Sequence, residues 1–388
     1  MTSAGVGVAV NSDGFTAAGL AAHRARTAAG ATTVEVALVF AGTRHDEDEF
    51  SAVLSAVRRT LPTAVILGCS ATGVLATSEE LENGSAVAVL ALGGEPLPTP
   101  IYVSGVRADP RGAGNRLGRE ALRALGNKPT GAALAVLVDP SELDAADFVA
   151  GIAEVAPDIL ITGAGASGGE NGCRVFWKDA AQTDAAVALV LPYDLHPSMG
   201  MTQGCQAVGA PHTITAAEGN LILEIDGRPA VEALDRTLSD PNHPGLRQMS
   251  RHLLAGISEL GEGGRSDYVV RPFAMADSER PALAVAEPVR PGQTIRFTLR
   301  DAIGAREDMK AMLEEQAQER RQPPAFGLYF NCAGRGSALY GQAGLDPDLI
   351  QRRFGALPVA GIESSFEIAP TCGRPRIHMF TGVLLLAG

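Results

Sequence analysis

Lysine is almost missing from this chain, aromatic residues are sparse, and no cysteine or histidine pair has a metal-binding spacing. Lys128, Lys178 and Lys310 are the only lysines in 388 residues, which leaves few candidates for a Schiff-base or amine catalyst. The net charge is -12 and the arginines are dispersed. Their short runs, Arg58-Arg59, Arg320-Arg321 and Arg352-Arg353, read as solvated helix faces. Nucleic acids and anionic membranes both require clustered positive charge, so neither is an expected partner. Five cysteines, an odd number, fit free thiols in a reducing compartment. The seven histidines form no His-Glu-x-x-His, and no Cys-x-x-Cys or Cys-x-x-Cys-His occurs, so neither a metal site nor covalent haem is expected. Met1–Gly5 has no basic segment leading into an apolar core, so no signal peptide is expected. No apolar run approaches the ~18 residues needed to cross a bilayer. The expected setting is cytoplasmic, without membrane insertion.

What the chain has in quantity is small and branched apolar residues: 46% hydrophobic with only 5% aromatic. They are arranged in a pattern that occurs three times. Val36–Phe40 is an apolar strand, Glu49–Arg59 a helix, and Ala64–Gly73 a second strand running into a polar turn. Leu134–Asp139, Asp144–Val155 and Asp158 onward repeat the pattern, and so do Phe326–Asn331, Asp346–Phe354 and Pro358–Glu367. From the first strand to the glycine at each turn (Gly68, Gly163, Gly361) the spacings are 32, 29 and 35 residues. A further apolar run follows each copy: Ala86–Leu92, Ala185–Leu191 and Gly382–Leu386. The pattern predicts an α/β protein with mixed sheets built from repeated β-α-β-β units. Its three polar turns are expected to meet at one edge, beyond the carboxyl ends of strands, where α/β proteins bind ligands.

Gly5–Val10 reads as an opening strand, with Ser12 or Asp13 capping a helix over Thr16–Ala28. Ala113–Leu125 reads as an amphipathic helix. Glu218-Gly-Asn220 reads as a hairpin turn before Leu221–Ile225, and Pro229 suits the start of a helix over Ala230–Leu238. The expected division falls there, giving domains 1–225 and 226–388. Ser239–Pro244 and Gly261–Gly264 are expected as mobile loops. Strands near Tyr268–Pro272, Ala282–Ala286 and Thr294–Leu299 then lead to a charged helix over Ala305–Arg320, stopped by Pro323-Pro324.

The turns carry the candidate chemistry. Ser70 and Thr72 offer hydroxyls beside the accessible backbone of Gly68 and Gly73, a combination suited to a small anion. Ser167 and Glu170 hold the related place in the second copy; Glu363, Ser364, Ser365 and Glu367 hold it in the third. Cys332 follows a strand and precedes Gly334-Arg-Gly336, so Arg335 either activates the thiol or grips a ligand carboxylate through its fork. The alternative is a buried Cys332 with Arg335 paired to an internal acid such as Glu367. Carboxylates together with one arginine suit a zwitterion such as an amino acid. Two enzyme-like spacings lie in the second turn, Gly163-Ala-Gly-Ala-Ser-Gly168 and Gly165-Ala-Ser-Gly-Gly169. Both need a helix directly afterwards, whereas Cys173–Trp177 reads as a strand. A hydrolase of small cyclic amides, using Ser70, Ser167 or Ser365, is the enzymatic alternative.

Several stretches occur together in one order: Leu67-Gly-Cys-Ser-Ala-Thr-Gly73; Gln203-Gly-Cys205; Asp226-Gly-Arg-Pro-Ala230; Asn331-Cys-Ala-Gly-Arg-Gly336; Gly361 with Glu367-Ile368; and His378 with Thr381. In this the chain resembles the FIST domain family, sensory and signalling domains with an N-terminal and a C-terminal part, and the likeness spans nearly its whole length. The resemblance implies that 1–225 is the FIST N-terminal-like and 226–388 the FIST C-terminal-like domain. It also implies a small-molecule sensor without catalysis of its own, its ligand an amino acid or small carboxylate and its output passed to a separate signalling partner. Cys69 and Asn331 lie in the matching stretches and complete the candidate ligand-binding set of Cys69, Ser70, Thr72, Ser167, Glu170, Asn331, Cys332, Arg335, Glu363 and Glu367. Some relatives resemble haem-dependent nitric-oxide sensors. That makes a haem held by one histidine, His196 or His212, the alternative to a cofactor-free site. Phe366 stands where the family tends to have glycine, so a bulky ring is expected to narrow the site.

Overall fold

A computed structural model describes residues 1–42, 44, 47–82, 84–126, 128–168, 172–240, 245–259, 267–274 and 281–388. The described chain falls into two compact units. One comprises Met1–Met201, Met309–Ile377 and Thr381–Gly388; the other comprises Thr202–Asp308 and His378–Phe380.

The first unit is a threefold repeat, and each copy is longer than the predicted one. Copy one runs β1 (Ser3–Val10), α1 (Gly14–Ala29), β2 (Val36–Gly42), α2 (Glu47–Thr60), β3 (Val65–Ala71), the hairpin β4 (Gly73–Ala76) and β5 (Glu79–Glu82), then β6 (Ala86–Gly93). Copy two runs β7 (Thr99–Ser104), α3 (Pro110–Ala124), β8 (Ala133–Val138), α4 (Ala145–Val155), β9 (Leu160–Gly165), the hairpin β10 (Val175–Trp177) and β11 (Ala180–Gln182), then β12 (Ala185–Leu191). Copy three opens with β13 (Ser198–Gln203) and is then interrupted.

The interruption is the second unit. It contains β14 (Cys205–Glu218), β15 (Leu221–Ile225), β16 (Arg228–Pro229), α5 (Ala230–Leu238), β17 (Leu253–Ser258), β18 (Val269–Ala274), β19 (Leu283–Val285) and β20 (Thr294–Arg300). Copy three resumes with α6 (Ala302–Glu319), β21 (Phe326–Cys332), the short α7 (Gly336–Tyr340), α8 (Leu345–Phe354), β22 (Val359–Ser364), the hairpin β23 (Glu367–Thr371) and β24 (Arg374–His378), and β25 (Thr381–Ala387).

Each copy builds the same four-stranded core: β1-β6-β2-β3, β7-β12-β8-β9 and β13-β25-β21-β22. The central pairs β2–β3, β8–β9 and β21–β22 are parallel, and β6, β12 and β25 run antiparallel to them. Each copy then lends its hairpin to another copy's sheet. β10–β11 extends the first sheet beside β3, β23–β24 extends the second beside β9, and β4–β5 extends the third beside β22. This cyclic exchange brings the ends of β3, β9 and β22 together.

The strands read as unbroken apolar runs because both faces are covered. One face of all three sheets shares a single core that includes Leu38, Leu90, Leu137, Leu189, Phe330 and Leu385. The other face packs under helices: α1 and α2 on the first sheet, α3 and α4 on the second, α6 and α8 on the third. α1 buries a row of alanines in this contact, Ala17, Ala18, Ala21, Ala22 and Ala25, with Phe15 packed beside them, after Asp13 caps its first turn by accepting from Thr16 N. None of the five cysteines is in a disulfide.

Gly68, Gly163 and Gly361 do not open turns as expected; they lie inside β3, β9 and β22. They stand opposite Val39, Val136 and Tyr329. A Cβ at each would lie 1.8, 2.0 and 2.0 Å from those carbonyl oxygens. Close backbone approach is what each glycine permits.

The second unit is an all-antiparallel ring, β14-β20-β17-β18-β19-β15, closed by β14 pairing with β15. Its core includes Ile214, Ile222, Ile225, Val269, Ile295 and Phe297. The compact units therefore divide differently from the split expected at Ile225. That residue is fully buried inside the second unit, and the chain leaves and re-enters the first unit around 201 and 309. Of the loops expected to be mobile, 241–244 and Gly261–Gly264 lie outside the described residues. No described helix is long and apolar enough to cross a membrane.

Candidate functional site

The three turns meet. Ser70, at the end of β3, donates Oγ to the Ser167 carbonyl at 3.1 Å and accepts from Arg174 N at 2.9 Å. Ser167 Oγ accepts from Thr72 N at 2.8 Å and donates to the Glu363 carbonyl. Thr72 Oγ1 donates to Glu363 Oε2 at 3.2 Å. Residues from all three copies thus take part in a single network. The hydroxyls expected to face a ligand are the stitches that hold the turns to one another.

Around Glu363 the network becomes acidic. The borrowed hairpin strand β5 brings Glu80 and Glu82 to it, and ligand-capable oxygens of the three carboxylates all lie within 4.8 Å of one another. Alternation along β5 puts 80 and 82 on one face of the strand. Glu80 and Glu363 are buried and Glu82 is half-buried. Glu80 accepts from Asn331 Nδ2 at 2.8 Å and from Gly344 N, at the start of α8, at 2.6 Å. Glu82 accepts from Ser337 N at 2.6 Å and from Ser337 Oγ. Burial is the main force on the titration of Glu80 and Glu363; nearby carboxylates add to it (Asp346 and Glu82 on Glu80, Glu82 and Glu80 on Glu363), the Gly344 N–H opposes it at Glu80, and both are pushed up to about 7. Glu367 is fully buried, accepts from Ser364 Oγ at 2.7 Å and Thr381 Oγ1 at 2.6 Å, and is likewise raised by burial to about 7.

Arg335 is placed otherwise than an approachable ligand anchor would be. Its side chain has no solvent exposure and forks onto Asp346, with Nε 3.0 Å from Oδ2 and Nη2 3.2 Å from Oδ1. Tyr329 and Tyr340 donate to the same carboxylate at 2.8 and 2.9 Å. Burial opposes the guanidinium charge, but Asp346 outweighs it and holds the group firmly protonated. The internal partner is Asp346, where sequence offered Glu367. The flanking Gly334 and Gly336 do not leave the guanidinium open. Nη1 has no hydrogen-bond partner.

Cys69 is fully buried in the shared core, and burial drives its thiol far up, away from reactivity. Cys332 is 7% exposed, with its Sγ accepting from Gly334 N at 3.5 Å. Glu170 lies outside the described residues. Ser365 is exposed, and the Phe366 ring packs into the second sheet's helix-side core and against Gly165. His196 is exposed on the turn after β12, and His212 Nδ1 lies 2.7 Å from Asp226 Oδ2. His196 lies in the first unit and His212 in the second. Sequence reasoning missed Glu80, Glu82 and Asp346. The Glu-x-Glu alternation at 80 and 82 was a readable sign of one charged strand face; nothing local announced which sheet it would join.

The fold and centre define a two-unit α/β protein whose three repeats close around a buried acidic cluster. The FIST N domain matches residues 35–228 and the FIST C domain matches residues 230–370. The chain belongs to the FIST family, whose domains are sensory domains of signal transduction. The family division, between 228 and 230, runs through the ring of the second unit and differs from the compact units. An uncharacterized protein of Mycobacterium tuberculosis strain H37Rv is 32% identical over 392 residues, covering 98% of both chains. An uncharacterized protein of Mycobacterium bovis is 31% identical over 393 residues, again covering 98% of both. Among solved structures, a chorismatase is similar over 92% of this chain and 93% of its own, at 12% identity and a TM-score of 0.30. A likeness that weak carries no argument about activity.

Proposed function

We propose that this chain is a cytoplasmic sensory module that binds a small ligand, an amino acid or small carboxylate, where its three turns meet, and passes the signal to a separate protein. The observation that carries this reading is the cluster of Glu80, Glu82 and Glu363, buried or half-buried, with oxygens within 4.8 Å of one another. Like charges brought together out of water are costly, and the cost is offset when positive charge arrives. Among the described residues no lysine or arginine is ion-paired with any of the three. Arg335, the one nearby cation sequence offered, is committed to Asp346. A ligand that brings positive charge, or binds together with it, is what the centre lacks. A centre assembled from all three copies is also suited to signalling, because an occupant draws on β5, β22 and the network to Ser167 at once.

A thermal-shift screen of amino acids, amines and small carboxylates tests the reading. A ligand at a hundred times its dissociation constant stabilises by about 2.7 kcal/mol, and Glu363→Gln should abolish the response. A screen without response in the presence and absence of divalent ions would rule the reading out.

A further inference from the structure

We propose that Glu80, Glu82 and Glu363, joined by the amide oxygen of Asn331, form a binding site for one hard divalent cation of the magnesium, manganese or calcium class. The inference rests on the ligand-seat reading above and gives its missing positive charge an identity: the ion would anchor the carboxylate of a small ligand in place of Arg335.

Four features carry it. The donors are all oxygen, the set hard cations take and thiophilic metals do not. The three carboxylates can place one oxygen each within 4.8 Å of the others. Ions that bind oxygen at about 2.0–2.6 Å hold their ligands no farther apart than roughly 4–5 Å across the sphere.

Asn331 supplies the observation independent of the acids. It is fully buried on β21, its Nδ2 is tied to Glu80 Oε1 at 2.8 Å, and its Oδ1 has no hydrogen-bond partner. A buried carbonyl oxygen without a donor is costly. This one sits on a head group already fixed against the cluster, where a cation would satisfy it.

The walls are also close. A Cβ on Gly73 would lie 2.5 Å from the Glu363 carboxyl carbon, and one on Gly336 would lie 2.3 Å from Glu82 Oε1. A bare ion needs less room than an ammonium trailing a carbon chain. The donations from Gly344 N and Ser337 N fix the carboxylates of Glu80 and Glu82 without exhausting their lone pairs.

The test uses the full chain, stripped with a chelator and titrated with Mn²⁺ alone. Free Mn²⁺ is followed by electron paramagnetic resonance and stability by thermal shift. One saturable site per chain is expected, with affinity falling at least tenfold in Glu363→Gln. Glu82→Gln, at the half-buried member, serves if the first variant does not fold. Absence of Mn²⁺ binding at millimolar concentration, or equal binding by a folded variant, overturns the inference. The two readings separate by which probe acts. If amino acids stabilise the chelated protein and Mn²⁺ does not bind, the cation falls and the ligand seat stands. If Mn²⁺ binds as expected but no amino acid or carboxylate responds in its presence, the cation stands and the ligand reading falls.

Discussion

At the scale of single residues, Arg335 shows how a motif can be legible and its role not. Glycines on both sides suggested an approachable guanidinium, yet its surroundings are set by Tyr329, Tyr340 and Asp346, the first from β21 and the last from the start of α8. Arg335→Ala leaves the Asp346 carboxylate buried and unpaired, so a loss of about 3–5 kcal/mol is expected in chemical denaturation. Arg335→Lys should recover only part of it, because a single ammonium cannot reproduce the fork. Near-wild-type stability of the alanine variant would return Arg335 to the list of ligand contacts. The glutamates give a second test. Glu80, Glu363 and Glu367 have their pKa raised from 4.5 to about 7, so between those values the folded protein binds more protons than the unfolded chain. Stability from these groups is therefore full below about pH 4.5 and is lost as pH rises through 7. The slope is roughly 1 kcal/mol per pH unit for each group that titrates independently. Glu363→Gln should flatten that fall in unfolding midpoints measured from pH 4.5 to 8 without divalent ions. An unchanged slope would show that Glu363 is not raised.

At the scale of elements, the strands and helices of the threefold repeat were legible because both strand faces are apolar and the helices keep a clean period. The hairpins were not. Gly73–Ala76 and Val175–Trp177 are short, and each pairs across copies, with β22 and β3 respectively, so no local pattern fixes their place. All three copies were read without their first strand and helix, although the helices over Thr16–Ala28, Ala113–Leu125 and Ala305–Arg320 were read as separate elements; in the third copy about a hundred residues also separate β13 from α6. The glycines of β3, β9 and β22 carry a prediction of their own. Gly68→Ala, Gly163→Ala and Gly361→Ala each drive a methyl into a facing carbonyl, at an expected cost of about 1–3 kcal/mol or more. Gly30, in open space after α1, is the control, where alanine meets only the milder penalty of its positive φ of 60°. If all four variants melted alike, close approach would not be what the strand glycines serve.

At the scale of the whole molecule, the second unit is an insertion into the third copy, and its two ends are held side by side. Asp308 Oδ2 accepts from Thr202 Oγ1 at 2.8 Å and from Gln203 N at 2.7 Å, so the residues entering and leaving the ring share one carboxylate. An insertion whose ends meet imposes little loop-closure cost on its host when removed. The cation and ligand residues Glu80, Glu82, Asn331 and Glu363, and the network through Ser70, Thr72 and Ser167, all lie in the first unit. Joining Met201 to Met309 through a Gly/Ser linker of about five residues should therefore leave a chain that folds cooperatively and still responds to Mn²⁺. Circular dichroism and the thermal shift with Mn²⁺ check this together. A shortened chain that folds but no longer responds would show that the ring completes the site; one that does not fold would show that the repeat depends on its insertion. The arrangement of Asp308 favours the first expectation, because the carboxylate closes the ring's own entrance within the second unit and leaves the three sheets to share a core that draws on every copy.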